Sequence, residues 1–96
     1  MSSIPKQWSK QDGKLYAACK CSDFKHALAL LSSIGDIAEK LQHHPDIGIR
    51  NYNEVFIATI THDTNSITEK DIQLAREIND LLDYEATKKH IEENGR

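Results

Sequence analysis

The sequence predicts an α+β fold: a four-stranded antiparallel sheet, in the order β-β-α-β-β-α, with two helices packed on one face. Three observations predict it. Short segments that alternate with period two, or are rich in β-branched and aromatic residues, recur between turn signals and read as strands. Two longer segments, Phe24 to Gln42 and Thr68 to Leu82, carry apolar residues at helical spacing. The order of these elements suits an antiparallel sheet with both helices on one side.

Residues 1–7 read as a loose arm, and Trp8 to Gln11 as a short edge strand closed by the hairpin signal Asp12-Gly13. Lys14 to Cys21 alternates, with Leu15, Ala17, Cys19 and Cys21 on one face and Tyr16, Ala18 and Lys20 on the other. Ser22 or Asp23 supplies an N-cap for the first helix. Its apolar stripe is Phe24, Ala27, Leu28, Leu31, Ile34, Ala38 and Leu41, interrupted by Gly35. Pro45 stops the helix at His44, and Pro45 to Gly48 reads as a loop. Ile49 to Tyr52 is a short strand, and Glu54 to Thr61 a longer one. In the longer strand Val55, Ile57 and Thr59 face one way, and Phe56, Ala58, Ile60 and His62 the other. Thr68-x-x-Asp71 resembles a capping box opening the second helix, whose stripe is Ile72, Ala75, Ile78 and Leu82, widened by Leu74 and Leu81. Residues 84–96 form a polar tail.

Length and composition bound the rest. Ninety-six residues, 39% hydrophobic and 28% charged, make one domain over 1–96 with a modest core. A net charge of −3 gives no basic footprint for nucleic acid. No apolar run approaches the ~20 residues of a membrane span. Met1-Ser2-Ser3-Ile4-Pro5 lacks the apolar core of a signal peptide, so a cytoplasmic protein is expected. Cys19 and Cys21 lie too close on an extended chain for a mutual disulfide; they read as small buried hydrophobes, with a Cys-x-Cys metal pair as the alternative. Tyr16, Ala18 and one side of Val55–Ile60 leave a sheet face too apolar for water, so a homo-oligomer, dimer or tetramer, is expected.

The chemistry concentrates between Glu39 and Asp71. Three of the five histidines lie here: His43 and His44 at a helix end before Pro45, and His62 at a strand end. Neutral imidazole both accepts and donates protons near pH 7. Glu39, four residues before His43, shares its helix face, where it would orient that ring and favour its charged form. Solvated side chains are the plain alternative for any one histidine. A zinc site is the next, although adjacent His43 and His44 cannot share a helix face.

Taken in order, Glu39, His43, His44, Pro45, Tyr52, His62 and Asp71 closely resemble the signature of pterin-4a-carbinolamine dehydratases. The resemblance runs from Trp8 to Leu82 and includes Asp23-Phe24, Tyr52-Asn53 and Thr68-Glu69-Lys70-Asp71-Ile72. It departs in two places. No counterpart of the N-terminal helix of animal members precedes Trp8, and Asp46-Ile47-Gly48-Ile49-Arg50 lacks the tryptophan common there.

The resemblance implies a metal-free, cofactor-free dehydratase of 4a-hydroxytetrahydrobiopterin that releases quinonoid dihydropterin and recycles the pterin of aromatic amino-acid hydroxylases. It implies His43, His44 and His62 as catalytic, supported by Glu39, with pterin contacts from Gln42, His43, His44, Pro45, Thr61, His62 and Asp63. Asp71 either supports the site or caps the second helix, and Tyr52 either walls the pocket or fills core. Phe56 has the same two readings, with core preferred. The alternative function is a non-catalytic dimerisation module of the same fold, acting as a transcriptional cofactor.

Overall fold

A computed structural model of the protein describes the backbone of residues 3–94 and the side chains of residues 3–82. The elements are β1 (Ser9–Gln11), β2 (Lys14–Lys20), α1 (Phe24–Leu41), β3 (Asp46–Arg50), β4 (Glu54–Thr59) and α2 (Glu69–Asn94). The strands form one antiparallel sheet in the order β1-β2-β4-β3. The β1–β2 hairpin turns on Asp12 (φ 52°) and Gly13 (φ 77°), both positive as a tight hairpin requires. Asp23 caps α1, accepting from the His26 N–H at 2.7 Å.

The core lies between the sheet and the two helices. Leu15, Ala17, Val55 and Ile57 of β2 and β4 meet Ala27, Leu30, Ile34 and Ala38 of α1, and Ile72, Leu74, Ala75, Ile78 and Leu82 of α2. Trp8 and Cys21 are buried with them, and Cys19 packs against them half-buried. Among the described residues no helix is long and apolar enough to cross a membrane.

Several details differ from the sequence reading. The α1 stripe is rotated: Leu30 is buried, whereas Phe24 is 51% and Leu28 46% exposed. The apolar residues of α1 span a wider arc than its neighbours cover, so spacing alone left the phase open. The third strand begins at Asp46 rather than Ile49, because Asp46 to Gly48 pair with Ala58 to Phe56. Phe56 is not core. It lies on the outer face of the sheet over Gly48, where an added Cβ would come within 2.7 Å of its ring. The Arg50 guanidinium covers Phe56 and Tyr16, with its carbon 5.4 and 5.9 Å from the two ring centroids. The arm is anchored where it is described: Ile4 packs on the core, and Pro5 C=O accepts from Trp8 N–H at 3.0 Å. The reading of residues 1–2, and of the polar side chains of 84–96, falls outside the described residues.

Candidate functional site

The site forms where the C-terminus of α1, the end of β4 and the first turn of α2 meet. At α1 the chain reverses through Gln42, which adopts the left-handed conformation (φ 52°). Gln42 N–H donates to Glu39 C=O at 3.3 Å and His43 N–H to Ala38 C=O at 3.1 Å. This is the paired cap that a left-handed residue allows at a helix end. Because Gln42 leaves helical geometry, His43 does not continue the face that carries Glu39.

The consequence is a different partner for each ring. His43 Nε2 lies 2.7 Å from Asp71 Oδ1, with the His43 side chain 14% and that of Asp71 0% exposed. His44 Nε2 bonds Glu39 Oε2 instead, and both of those groups are exposed. The expected contact between Glu39 and His43 is therefore absent, since the i,i+4 rule holds only while the helix lasts.

Asp71 is the most heavily hydrogen-bonded side chain of the site. Its Oδ1 also accepts from Thr59 Oγ1 at 2.6 Å, and its Oδ2 accepts from Thr61 Oγ1 at 2.7 Å and Thr68 N–H at 2.9 Å. Thr68 Oγ1 lies 2.6 Å from Thr61 Oγ1, and it accepts from Lys70 N–H at 3.3 Å. Burial pushes the Asp71 carboxyl up, but the bonds from Thr59, His43, Thr61 and Thr68 outweigh it and hold the group below its ordinary range. Asp71 is thus an acceptor only. It both caps α2 and holds His43, so its two sequence readings are compatible. An ionised carboxylate at Oδ1 requires the proton on His43 Nε2, so whenever the ring is neutral Nδ1 carries the lone pair.

His62 sits in the tight turn after β4, exposed, where Thr61 and Ser66 exchange backbone hydrogen bonds of 3.0 and 3.3 Å. An open cavity of about 260 Å³ is lined by Gln42, His43, His44, Ile60, Thr61, His62, Asp63 and Lys70. A second opening of about 270 Å³ adjoins it, lined by Leu41, Gln42, His43, Lys70 and Gln73. The structure thus brings together His43, His44, His62, Gln42, Thr61 and Asp63, with Asp71 beneath. Glu39 and Pro45 line neither opening. Tyr52 is 65% exposed in the β3–β4 turn, at the opposite end of that hairpin from His44, and neither walls the cavity nor fills core. Ile60, Lys70, Leu41 and Gln73 were not among the residues expected here. Lys70 had one available signal, its place immediately before Asp71 in the first turn of the second helix. Among the described residues no group of three or more His, Cys, Asp or Glu is arranged to hold a metal ion.

Fold and site together define a class: a small α+β protein with a histidine-lined cavity at the junction of two helix ends and the end of a central strand. The family model described as Pterin 4 alpha carbinolamine dehydratase matches residues 1–81, and the chain belongs to that family. A relative from Acidobacterium capsulatum, provisionally named a pterin-4-alpha-carbinolamine dehydratase, is 42% identical over 85% of this chain and 87% of its own length. A relative from Sulfurisphaera tokodaii with the same provisional name is 38% identical over 80% and 82%. The crystal structure of a transcriptional coactivator/pterin dehydratase from Brucella melitensis matches with a TM-score of 0.71 at 36% identity, covering 79% of this chain and 82% of that one.

Proposed function

We propose that the protein dehydrates 4a-hydroxytetrahydropterins to quinonoid dihydropterin and water by histidine acid/base catalysis, so recycling the pterin of aromatic amino-acid hydroxylases. The observation that carries this reading is the convergence of His43, His44 and His62 on one cavity, with His43 fixed by a buried carboxylate. The reaction needs a proton delivered to the departing 4a-hydroxyl and another removed from N5. The C4a–O bond breaks, the N5–H electron pair forms the C4a–N5 double bond, and water leaves. These are two proton transfers with no redox step, a task suited to imidazoles without metal or cofactor.

Asp71 divides the work. With Nε2–H committed to Asp71, His43 presents Nδ1 as an acceptor and serves as the base at N5. His62, on the exposed turn, protonates the leaving hydroxyl. His44, steadied by Glu39, binds the ring and assists. Gln42, Thr61 and Asp63 supply pterin contacts around the opening. The protein works in the cytoplasm as a homo-oligomer. Stopped-flow measurement of carbinolamine dehydration tests the reading, after subtraction of the uncatalysed rate. A purified, folded protein that adds nothing to that background would overturn it.

A second reading, a dimerisation module acting on transcription, draws on the exposed pair Phe24 and Leu28, one turn apart on α1. It would replace the enzyme if the dehydration assay were silent and a protein partner occupied that pair.

A further inference from the structure

We infer that Thr59 is a positioning residue: its hydroxyl anchors the Asp71 oxygen that holds His43, and so fixes the direction in which the His43 ring presents Nδ1. The kinetic side of this inference rests on the dehydratase reading; the geometric side does not.

The place of Thr59 in the sheet carries the first step. The alternation of β4 puts it on the inner face with Val55 and Ile57, paired with Leu15 of β2, and it is 1% exposed. Valine would fill nearly the same space there without a polar atom, and a buried hydroxyl is costly unless it is hydrogen-bonded. Thr59 Oγ1 donates to Asp71 Oδ1 at 2.6 Å. Thr59 lines neither opening, so its hydroxyl reaches the site through that carboxylate.

Hydrogen-bond capacity carries the second. An ionised carboxylate offers about four lone-pair sites. Four donors take those of Asp71: Thr61 Oγ1 and Thr68 N–H on Oδ2, Thr59 Oγ1 and His43 Nε2 on Oδ1. With Thr59 on one site of Oδ1, the His43 N–H has a single site left. The two bonds to Oδ2 alone would let the carboxylate swing about that oxygen, and Thr59 is the anchor at the other end. Burial pushes the Asp71 carboxyl up, and among the bonds that outweigh burial the one from Thr59 weighs most. The aim of Nδ1 follows, because the imidazole is a rigid plane tied to the chain at one end and to Oδ1 at Nε2. A group that takes a proton works only when it is held close to the productive geometry.

The test compares Thr59→Val, which removes the hydroxyl at nearly constant volume, with Thr59→Ser, which keeps it. In the wild type, proton NMR should show the His43 Nε2–H protected from solvent exchange and in through-space contact with the Thr59 hydroxyl proton, since both point at one oxygen. Thr59→Ser should keep that protection, and Thr59→Val should exchange the proton several-fold faster. Stopped-flow rates should give Thr59→Val a kcat roughly three- to tenfold lower at unchanged KM, the worth of one net hydrogen bond, and Thr59→Ser a kcat near wild type. Equal losses in the two variants would assign Thr59 to packing and overturn the inference. So would a loss confined to KM, or wild-type kcat and exchange in Thr59→Val. If Thr59→Val does not fold, the wild-type contact decides: its presence supports the anchor, and its absence overturns it. If the wild type adds nothing to the uncatalysed rate, the dehydratase reading itself fails, and the exchange rates decide the anchor separately. Faster exchange in Thr59→Val but not in Thr59→Ser supports it, and equal exchange overturns it.

Discussion

At the scale of single residues, two carboxylates hold two different imidazoles. Asp71 is buried and serves His43, while Glu39 is exposed and serves His44. An exposed ion pair is worth ~0–1 kcal/mol, whereas a buried carboxylate that loses its charge leaves several donors facing a poorer acceptor. Asp71→Asn should therefore lower stability by ~1–3 kcal/mol and lower kcat towards the loss expected of His43 itself. Glu39→Gln should cost much less on both counts. Chemical denaturation and stopped-flow rates on the two variants check the ranking; a larger kcat loss in Glu39→Gln would reverse it. Alanine at His43 or His62 should reduce kcat by roughly 10²-fold or more, the usual contribution of a positioned acid or base. His44→Ala should raise KM more than it lowers kcat.

At the scale of elements, Asp71 ties three of them together: the end of α1 through His43, the end of β4 through Thr59 and Thr61, and the cap of α2 through Thr68. Its folded pKa lies below the ordinary 3.8, so the folded state favours the ionised form. The stability this adds is complete above the unfolded value and drains away as pH falls through the folded one. Unfolding free energy should decline below pH ~4, and Asp71→Asn should flatten that part of the profile. Urea midpoints measured from pH 6 to pH 2 give the comparison. The outer sheet face offers a second element-scale test. Gly48 leaves room for the Phe56 ring on the neighbouring strand, so Gly48→Ala must displace the ring from beneath Arg50. A loss of ~1 kcal/mol is expected by thermal denaturation, at the low end for overpacking because the ring tip is what must move.

At the scale of the whole molecule, both helices cover one side of the sheet and leave the other to Tyr16, Ala18, Phe56, Ala58 and Arg50. Arg50 shields part of this face by lying over Tyr16 and Phe56. The edges β1 and β3 have no further strand partner among the described residues. An apolar face beside open edges is expected to associate. Sedimentation at micromolar concentration should report at least a dimer, and Arg50→Glu, which sets a second acid beside Glu54, should weaken it. A monodisperse monomer would show that Arg50 covers the face adequately.

Much of this protein was legible in local patterns. Period-two alternation identified β2 and β4, helical spacing identified α1 and α2, and Asp12-Gly13 identified a hairpin. Each is a short-range rule that acts through neighbouring residues in the chain. The order of His43, His44, His62 and Asp71 also pointed to the site, because their spacing survives in the sequence whatever contacts they make. Which carboxylate holds which ring was not legible. That depends on a left-handed Gln42, a reversal no helical spacing rule contains, and on β4 and α2 arriving beside His43 from residues 16 to 28 positions away in sequence. The same holds for Phe24 and Leu28, whose exposure follows from where the sheet and α2 press on α1, and for Phe56, whose place follows from the register of β3 on β4. Lys70 and Gln73 join the site for the same reason: the packing of two helix ends makes neighbours of residues that no local pattern relates.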